Sequence, residues 1–445
     1  MTVAFFAEGS PRDPGLVLGA YKRTLVAVGP DAGPDGGPPV WRLDTGNLHL
    51  LERAMTELGA RGVTRLHAVL PSLDVAHDET DVLDEGAFVP TLRRLLTKRP
   101  GGVALRLELS SGRPYVPPPP SLDISTNDLC GLKCVMCGNR NRQRDPLTMS
   151  PEDVGALLHE AAGWGIRRVA LTGSGEPFRD PALLGHVDAA HALSHLVTIT
   201  TNGFPVTEAV AERLAAVHAS ISVSIHGAAD ETHDRITGVP TSAAHAWRAV
   251  RRLVAAREKA GARGRLSVNV STVIQRGNVE EIEALVRRSK DEGCDGHNLQ
   301  PVNLQHGSFQ EGAVVRRDDA AAMAALWPAP EQAPALDRLF DRLVARREDY
   351  PHVRTTEARL RLVRRYFTDS SREALGVACG VGESFLGVDH RGRVKPCYRL
   401  PWSLGDARLR KVRKLWNSVA YAAVRRTVDA CPLTCLNNCF FRKAI

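Results

Sequence analysis

Three cysteines, Cys130, Cys134 and Cys137, lie within a single eight-residue stretch with the spacing CxxxCxxC. Three thiolates in one short loop can hold three irons of a cubane 4Fe–4S cluster and leave the fourth iron open. A structural zinc site is the alternative, but it would need a fourth ligand nearby, and Asn139 and Arg140 are poor ligands. The loop therefore predicts an open iron–sulfur cluster.

A second candidate segment is the run Thr-Gly-Ser-Gly-Glu-Pro at 172–177. Glycines let the backbone approach a ligand closely, so Gly173, Gly175 and the adjoining Glu176 are candidate binding residues. The rival interpretation is a dinucleotide-binding loop, but its third glycine would have to stand where the chain has phenylalanine. Asn202, which is followed by glycine, adds a polar turn further along the chain.

The strand-like run 220–227 carries polar residues at every second position. A period of two places Ser222, Ser224 and His226 on one face of a strand. His226 is a candidate for contact with a substrate or for proton transfer, and a hydrogen-bonded structural histidine is the competing interpretation.

Two further residues lie in, or just before, the last strand-like run of this part of the chain. Gln300 is predicted to contact a substrate or ribose and is preferred to His297 for that role. Cys294 stands alone in a turn, so a small buried residue is a better interpretation than a metal ligand.

The C-terminal segment is rich in cysteine. Two predicted strands, 384–388 and 394–396, meet at the turn 389–392 and bring Cys379 near Cys397. The segment contains little apolar material, and a bound metal would stabilise its fold. Four thiolates suit either zinc or an iron–sulfur cluster. The remaining cysteines of the group are Cys431, Cys435 and Cys439.

The elements that must position these residues alternate along the chain. Strands with helical crossovers form a parallel sheet, and six strands are too few for the usual eight-stranded barrel. We therefore predict an α/β fold, a partial (β/α)6 barrel with its chemistry at the carboxyl ends of the strands. The strands are predicted at 122–125, 169–171, 197–200, 221–225, 266–274 and 297–302, and the helices at 151–162, 181–193, 207–217, 243–260 and 279–290.

Five segments follow from turns, linkers and composition. The first is a small α/β N-terminal domain of unknown role, with strands predicted at 23–28, 65–70 and 103–109 and helices at 48–58 and 88–96. A run of four prolines forms a stiff spacer. The segments are 1–116, the N-terminal domain; 117–120, the linker; 121–302, the partial barrel; 303–375, a helical bridge; and 376–445, the cysteine-rich extension.

Composition narrows the classes of protein that need to be considered. The 445 residues are 43% hydrophobic and 24% charged, which excludes disordered and collagen-like chains. The net charge of +8 is mild for this length, and its basic residues are not interleaved with aromatic ones, so nucleic acid is not favoured as a partner. No apolar run reaches the ~18 residues of a membrane span, and no signal peptide is recognised. A cytoplasmic protein with reduced cysteines is predicted.

The cysteine loop after the first barrel strand resembles the signature of the radical S-adenosylmethionine (SAM) superfamily. The segment 173–177 resembles the family's Gly-Gly-Glu-Pro element, which binds the SAM amino group, and 201–203 resembles its Thr-Asn-Gly. The resemblance implies that the open iron binds SAM through its amino and carboxylate groups. Electron transfer from the cluster then cleaves SAM to methionine and a 5′-deoxyadenosyl radical. Gly173, Gly175, Glu176 and Asn202 are the implied SAM-binding residues.

A third element, His-Asp-Arg-Ile-Thr-Gly at 233–238, is similar to a motif that follows strand four in many relatives. There a serine and an arginine often bind the SAM carboxylate, which implies this role for Ser224 and Arg235. Met136 stands where the family often has an aromatic residue close to adenine, and a thioether can fill that position.

The tail resembles the auxiliary-cluster extensions of the family, SPASM and its shorter twitch form. A full SPASM tail has seven cysteines for two clusters, whereas this one has five. The resemblance implies one auxiliary 4Fe–4S cluster, bound by Cys379 and Cys397 together with two of the three remaining cysteines.

The two cysteine groups together predict a radical SAM enzyme that removes a hydrogen atom from an unactivated C–H bond. A small natural-product or sugar-like substrate, undergoing oxidation or epimerisation, is the first interpretation. Maturation of a ribosomal peptide by crosslinking or epimerisation is the alternative, and modification of RNA is a minor one that rests only on net charge. A reducing partner such as flavodoxin or ferredoxin is expected to supply electrons.

Overall fold

A computed structural model describes the greater part of the chain. The described residues fall into two compact units: the first holds those up to Pro118 together with 163–165 and 413–422, and the second holds the others. The five segments proposed from the sequence stay a prediction. The described residues are 2–8, 40–44, 52, 55–56, 59–60, 62, 64–70, 94–109, 116–137, 147–303, 325–345, 347–376, 379–397, 403–429 and 435–436.

The first unit contains a mixed four-stranded sheet. Its strands are β1 (Thr2–Glu8), β2 (Val40–Asp44), β3 (Arg65–Leu70) and β4 (Ala104–Leu109). Their order is β2-β1-β3-β4, with β1 antiparallel to both neighbours and β3 parallel to β4. The predictions of β3 and β4 are confirmed, whereas β1 and β2 were not predicted.

The other elements predicted for the N-terminal segment are only partly covered by the described residues. Residues 94–98 are helical and overlap the end of the predicted helix 88–96, and residues 52, 55 and 56 are helical within the predicted helix 48–58. The predicted strand 23–28 lies outside the described residues.

The polyproline segment is held by the tail residues of the same unit. The indole Nε1 of Trp416 donates hydrogen bonds to the carbonyl oxygens of Val116 (2.9 Å) and Pro117 (3.0 Å). Asn417 accepts from the Val116 N–H (3.0 Å) and donates to its carbonyl oxygen (3.1 Å). Trp164 meets Trp416 edge to face. Trp416 and Asn417 thus fix the backbone of Val116 and Pro117 by hydrogen bonds.

The second unit is built on an eight-stranded sheet with the order β10-β9-β8-β7-β6-β5-β11-β12. All neighbours are parallel except β11 and β12. The six predicted barrel strands are confirmed to within two residues at either end. They are β5 (Ser121–Ser125), β6 (Arg168–Thr172), β7 (Leu196–Thr201), β8 (Ala219–Ser224), β9 (Leu266–Ile274) and β10 (Gly296–Pro301).

Helices connect these strands as the apolar periodicity predicts. Each strand keeps one buried apolar face, and Leu299 of β10 packs against Ile282 and Val286 of the preceding helix. The short helix after β8 is an addition to the prediction. The helices are α1 (Pro151–Gly163), α2 (Leu183–Ala192), α3 (Glu208–Ala215), α4 (Asp230–Thr237), α5 (Ser242–Lys259) and α6 (Ile282–Asp291).

The bridge covers the β10 edge of the sheet. Helices α7 (Ala333–Ala345) and α8 (Glu357–Thr368) pack their apolar faces on the β9–β10 side. Val353 pairs with His297, so the segment before α8 continues the hydrogen bonding of β10. A short α9 (Arg372–Leu375) follows.

The tail adds a hairpin to the opposite edge. Strands β11 (Leu386–Val388) and β12 (Val394–Lys395) pair antiparallel, as predicted, and β11 lies parallel to β5, which the sequence did not indicate. The carboxylate of Asp389 closes the turn by accepting from the backbone N–H groups of Arg391 and Arg393.

Two further helices, α10 (Val412–Trp416) and α11 (Val419–Asp429), follow the hairpin. Among the described residues, no helix combines the length and apolar character that crossing a membrane would require.

Candidate active site

The cysteine loop starts from an asparagine turn directly after β5. The buried Asn127 accepts a hydrogen bond from the N–H of Leu129 at 2.7 Å through Oδ1. Its Nδ2 donates to the carbonyl oxygens of Glu176 (2.9 Å) and Pro177 (3.2 Å). Asn127 therefore ties the start of the cysteine loop to the glycine-containing segment. Sequence analysis missed this residue, although its position three residues before the first cysteine was visible.

Gly175 lies directly against the backbone of the cysteine loop. The N–H of Glu176 donates to the Leu129 carbonyl oxygen at 2.6 Å. A Cβ on Gly175 would lie 2.1 Å from that oxygen, whereas a Cβ on Gly173 would meet nothing nearer than 3.1 Å. The close approach that the sequence assigned to a ligand is made here by the cysteine loop itself. The role of both glycines in binding SAM stays a prediction.

Replacing Gly175 with alanine is expected to displace Leu129 and, with it, the cysteine loop. Backbone atoms cannot move away as a flexible side chain would, so we expect a cost of about 1–3 kcal/mol in stability. Iron bound by the loop should fall, as measured by iron per chain together with the thermal unfolding temperature. Gly185→Ala in α2 is the control, because a Cβ there meets nothing within 4 Å. Full iron content in Gly175→Ala would contradict the packing argument.

Glu176 joins the glycine segment to the end of β7. Its Oε1 accepts from the Thr201 hydroxyl (2.7 Å) and the Phe178 N–H (3.2 Å), and its Oε2 accepts from the Asn202 N–H (2.7 Å). Burial raises the pKa of Glu176, while hydrogen bonds from Asn202, Thr201 and Phe178 and the charge of Arg179 act to lower it. The carboxylate thus organises the loop ends, and its contact with SAM stays a prediction.

Asn202 brings the end of β7 to the first cysteine. Its Nδ2 lies 4.0 Å from the Cys130 sulfur as a hydrogen-bond donor, and its Oδ1 accepts from the Phe204 N–H at 3.0 Å. The Leu132 N–H donates to the same sulfur at 3.4 Å. The structure therefore brings together Cys130, Asn202 and the glycine segment, as the sequence predicts for adjacent strand ends.

The other side of the cysteine loop is fixed by α4. The N–H of Lys133 donates to the Thr237 carbonyl oxygen (2.9 Å), and that of Val135 donates to the Ile236 carbonyl oxygen (2.8 Å). Gly238 ends the helix at φ 71°, and a Cβ there would lie 3.0 Å from the Lys133 oxygen. The motif at 233–238 therefore supports the cysteine loop through its backbone.

Met136 is packed behind the loop. It is 9% exposed and shares an apolar cluster with Ile236 and Val302, which Trp327 and Phe367 of the bridge partly cover. The thioether thus fills an apolar site between loop and bridge, and a position beside adenine stays a prediction.

The surroundings of the three sulfurs fit an iron–sulfur cluster. Hydrogen bonds from N–H groups to ligand sulfurs tune such clusters, and Cys130 receives two. Cys134 is half-buried and Cys137 is exposed, so both thiols are accessible. Within the described ranges, no three His, Cys, Asp or Glu side chains are grouped so as to hold a metal ion.

His226 has the character of a structural histidine. Burial first, and then the neighbouring His233, lower its pKa to about 3, so the ring is neutral near pH 7. Its Nδ1 accepts from the Val273 N–H at 3.3 Å, and its backbone N–H donates to Nδ1 of His233 at 3.0 Å. A catalytic role for His226 stays a prediction, and this geometry favours the competing structural interpretation.

Gln300 and His297 both lie on β10 but differ in burial. Gln300 is half-buried, whereas His297 is fully buried and bonded to Thr272 (2.9 Å) and Ser289 (2.8 Å). Burial and then His352 lower the pKa of His297 to about 3. The preference for Gln300 over His297 agrees with this arrangement.

The two residues proposed for the SAM carboxylate lie in different settings. Ser224 ends β8 and is half-buried, while Arg235 is exposed on α4 and donates to the Gly277 carbonyl oxygen at 3.2 Å. The structure does not show them in contact, so their shared role stays a prediction. Cys294 is buried, and burial, followed by Asp295 and Glu292, raises its pKa to about 12, which suits the small buried residue predicted for it.

Three tail cysteines belong to or border one buried apolar cluster. Cys397 is buried with Val381 and Phe385, and Cys379 and Cys435 pack against this cluster. Three segments of the tail thus contribute a cysteine to the same apolar neighbourhood, while their ligation of a shared auxiliary cluster stays a prediction. Cys431 and Cys439 lie outside the described residues.

Comparison with known proteins identifies two domains. Residues 124–295 match the model of the radical SAM superfamily, and residues 379–440 match the iron–sulfur cluster-binding domain called SPASM. The cofactors are accordingly SAM, the 4Fe–4S cluster that binds it and an auxiliary 4Fe–4S cluster, as predicted. The SuiB protein of Streptococcus suis has the same fold: the TM-score is 0.52 at 17% identity, over 69% of this chain and 68% of SuiB.

Two curated relatives are similar in sequence. A probable GTP 3′,8-cyclase of Saccharolobus islandicus is 29% identical over 194 residues, 43% of this chain and 60% of the relative. The mycofactocin maturase MftC of Mycobacterium tuberculosis is 34% identical over 155 residues, 35% of this chain and 37% of the relative. The similarity thus spans less than two thirds of either relative. The cysteine loop on a parallel α/β sheet, the two matched domains and the shared fold together show that the chain belongs to the radical SAM superfamily and carries a C-terminal SPASM domain.

Proposed function

We propose that this protein removes a hydrogen atom from a carbon of a peptide substrate and that its tail cluster accepts the electron left on the substrate. The observation that carries the proposal is the meeting of the cysteine loop, the glycine segment and Asn202 at the carboxyl ends of β5, β6 and β7. Bound together, the first cluster and SAM supply the 5′-deoxyadenosyl radical that abstracts the hydrogen atom.

The residues of the chain have distinct roles in this proposal. Cys130, Cys134 and Cys137 hold three irons and leave the fourth for SAM. Asn127 and Gly175 keep the loop in place. Gly173, Glu176, Asn202, Ser224 and Arg235 are proposed to orient SAM, and Gln300 to contact the substrate.

A peptide is preferred as the substrate over the small sugar-like molecule that the sequence first favoured. That preference rested on a tail with five cysteines and on an N-terminal domain predicted as α/β rather than winged-helix, whereas the SPASM match extends over residues 379–440. The mycobacterial relative is named a maturase, and SuiB has been solved with a precursor peptide. A small hydroxylated natural product, oxidised or epimerised, is the second candidate, because the half-buried hydroxyls of Ser222 on β8 and Ser271 on β9 would also bind hydroxyl groups.

The proposal includes a reducing compartment and a low-potential electron donor. Cysteine ligands must be reduced before an iron–sulfur cluster assembles on them, and the cytosol keeps thiols reduced. The cytoplasm is the proposed location, and a flavodoxin or ferredoxin is the proposed donor.

The reconstituted protein is expected to release 5′-deoxyadenosine and methionine when it receives SAM and dithionite, slowly even without substrate. Quantifying both products by chromatography and mass spectrometry checks this result, with omission of dithionite as the control. Release of S-adenosylhomocysteine without 5′-deoxyadenosine would indicate methyl transfer and contradict the proposal.

A further inference from the structure

Five neutral polar side chains occupy one face of the sheet near the carboxyl ends of four neighbouring strands. Thr200 of β7 pairs in register with Ser222 of β8, and Ser271 of β9 pairs with Asn298 of β10. Gln300 lies two residues beyond Asn298 along β10. We call these five residues the polar patch.

The polar patch faces away from the connecting helices. Along β8, buried Ile221 and Val223 alternate with half-buried Ser222 and Ser224. Along β10, buried Leu299 packs against α6, while its neighbours on either side are half-buried. Since side chains alternate between the two faces of a strand, the patch lies on the face opposite α6. The apolar side chains of these strands thus form the core, and the polar side chains of the patch lie outside it.

The side chains of the patch make no hydrogen bond to any part of the chain that the structure describes. Other polar side chains on this face are hydrogen-bonded within the chain: Asn269 of β9, in register with Ser222, donates to the Ser220 hydroxyl at 3.0 Å, and Thr172 of β6 donates to Asp123 at 2.6 Å. The five side chains of the patch differ from these in having no hydrogen-bond partner within the described part of the chain. Donors and acceptors held ready on rigid strands are the usual lining of a ligand site.

The chemistry of the patch selects an uncharged ligand. Hydroxyl groups both donate and accept, and a carboxamide can donate to a peptide carbonyl while it accepts from a peptide N–H. A neutral lining gives a phosphate or carboxylate no opposite charge to offset its desolvation. Polar groups of this kind match the backbone of a peptide with neutral side chains.

The extent of the patch favours a chain over a single ring. Strands β7 to β10 are successive neighbours, so the patch crosses three interstrand spacings, or roughly 14 Å. An extended peptide covers that distance with about four residues. A single sugar ring would leave part of the patch unused.

We propose that Thr200, Ser222, Ser271, Asn298 and Gln300 bind the backbone of an uncharged peptide segment and thereby select the substrate. This inference rests on the proposed function, because it places a peptide at the site where the radical is made. It also excludes GTP, the substrate named for the archaeal relatives, as the ligand of this face.

The test adds one probe at a time to the reconstituted enzyme with SAM and dithionite and measures the rise in 5′-deoxyadenosine release. The probes are a randomised, end-capped decapeptide library without charged residues, the same library with lysine and arginine in place of asparagine and glutamine, GTP, and trehalose. We expect the uncharged library to give the largest rise, with mass changes in the peptides that react. Absence of release without any probe would defeat the proposed function itself. Normal basal release with a rise from GTP or trehalose only, or from none of the probes, would overturn the inference alone.

Matched serines test the assignment of the patch. Ser271→Ala should lower the rise given by the uncharged library about 2- to 12-fold, the factor for one net hydrogen bond. Ser267→Ala, four residues earlier on β9, is the control and should behave as the unaltered enzyme. Asn298→Asp should shift the preference towards the basic library, because a carboxylate would replace the amide. Iron content and unfolding temperature verify that the variants fold. Equal responses of Ser271→Ala and Ser267→Ala, or an unchanged preference in Asn298→Asp, would overturn the assignment.

Discussion

The Cys134→Ala variant is expected to bind about four irons in place of about eight after anaerobic reconstitution, and to release no 5′-deoxyadenosine. Cys134 is one of three thiolates on the loop, and two are too few to hold a cubane whose fourth iron must stay open for SAM. The tail cysteines come from segments outside this loop, so their cluster should remain. Iron and sulfide assays, together with chromatography of the reaction products, measure both effects.

A second cysteine provides the control for the loss of a thiol. Cys294 is buried, and its pKa is raised to about 12, so it is not available as a thiolate ligand. Cys294→Ala should keep the full iron content and the rate of SAM cleavage. If Cys134→Ala kept about eight irons, or if Cys294→Ala lost about four, the assignment of the first cluster would be wrong.

The strands of the second unit were predictable because each carries an unambiguous period. β9 was predicted at its observed bounds, and β8 shows the alternation of buried and half-buried residues that the serines indicated. Local patterns of this kind depend on a few neighbouring residues, which sequence displays directly.

Pairing between distant segments was not predictable in the same way. The sequence indicated the β11–β12 hairpin, because its turn is local, but gave no sign that β11 would lie parallel to β5. β1 was missed because its partners lie about 40 and 60 residues away, and propensity alone is weak for a short strand. Register between such segments depends on tertiary packing, which no local period encodes.

In the candidate site, too, local motifs were predictable from the sequence, whereas contacts between distant segments were not. The cysteine loop and the segment at 172–177 were recognisable from residue types, whereas the role of Gly175 became clear only from its 2.1 Å approach to Leu129. A glycine in the sequence indicates a close approach to the backbone, but it does not show whether a ligand or another part of the chain makes that approach. His226 shows the converse, since burial and His233 make it neutral although its position suggested proton transfer.

The packing of Cys379 and Cys435 against the apolar cluster that contains Cys397 leads to a prediction about the tail. We expect Cys397→Ala to lose about four of about eight irons and to keep SAM cleavage, because the first cluster lies on the barrel. If the auxiliary cluster accepts the substrate electron, this variant should still form 5′-deoxyadenosine in the presence of the responding peptides but give little oxidised product. Cys435→Ala should behave in the same way, because Cys435 packs against the cluster that contains Cys397.

The competing role for this cluster is to hold the tail together, since metal binding and folding are coupled in small cysteine-rich segments. In that case Cys397→Ala should lose solubility, SAM cleavage and product together. Product and 5′-deoxyadenosine measured side by side separate the two roles, and the unfolding temperature shows whether the fold survives. A soluble Cys397→Ala variant with full iron content would show that this residue is not a ligand. Full product yield after loss of the auxiliary iron would show that the cluster carries no electron in turnover.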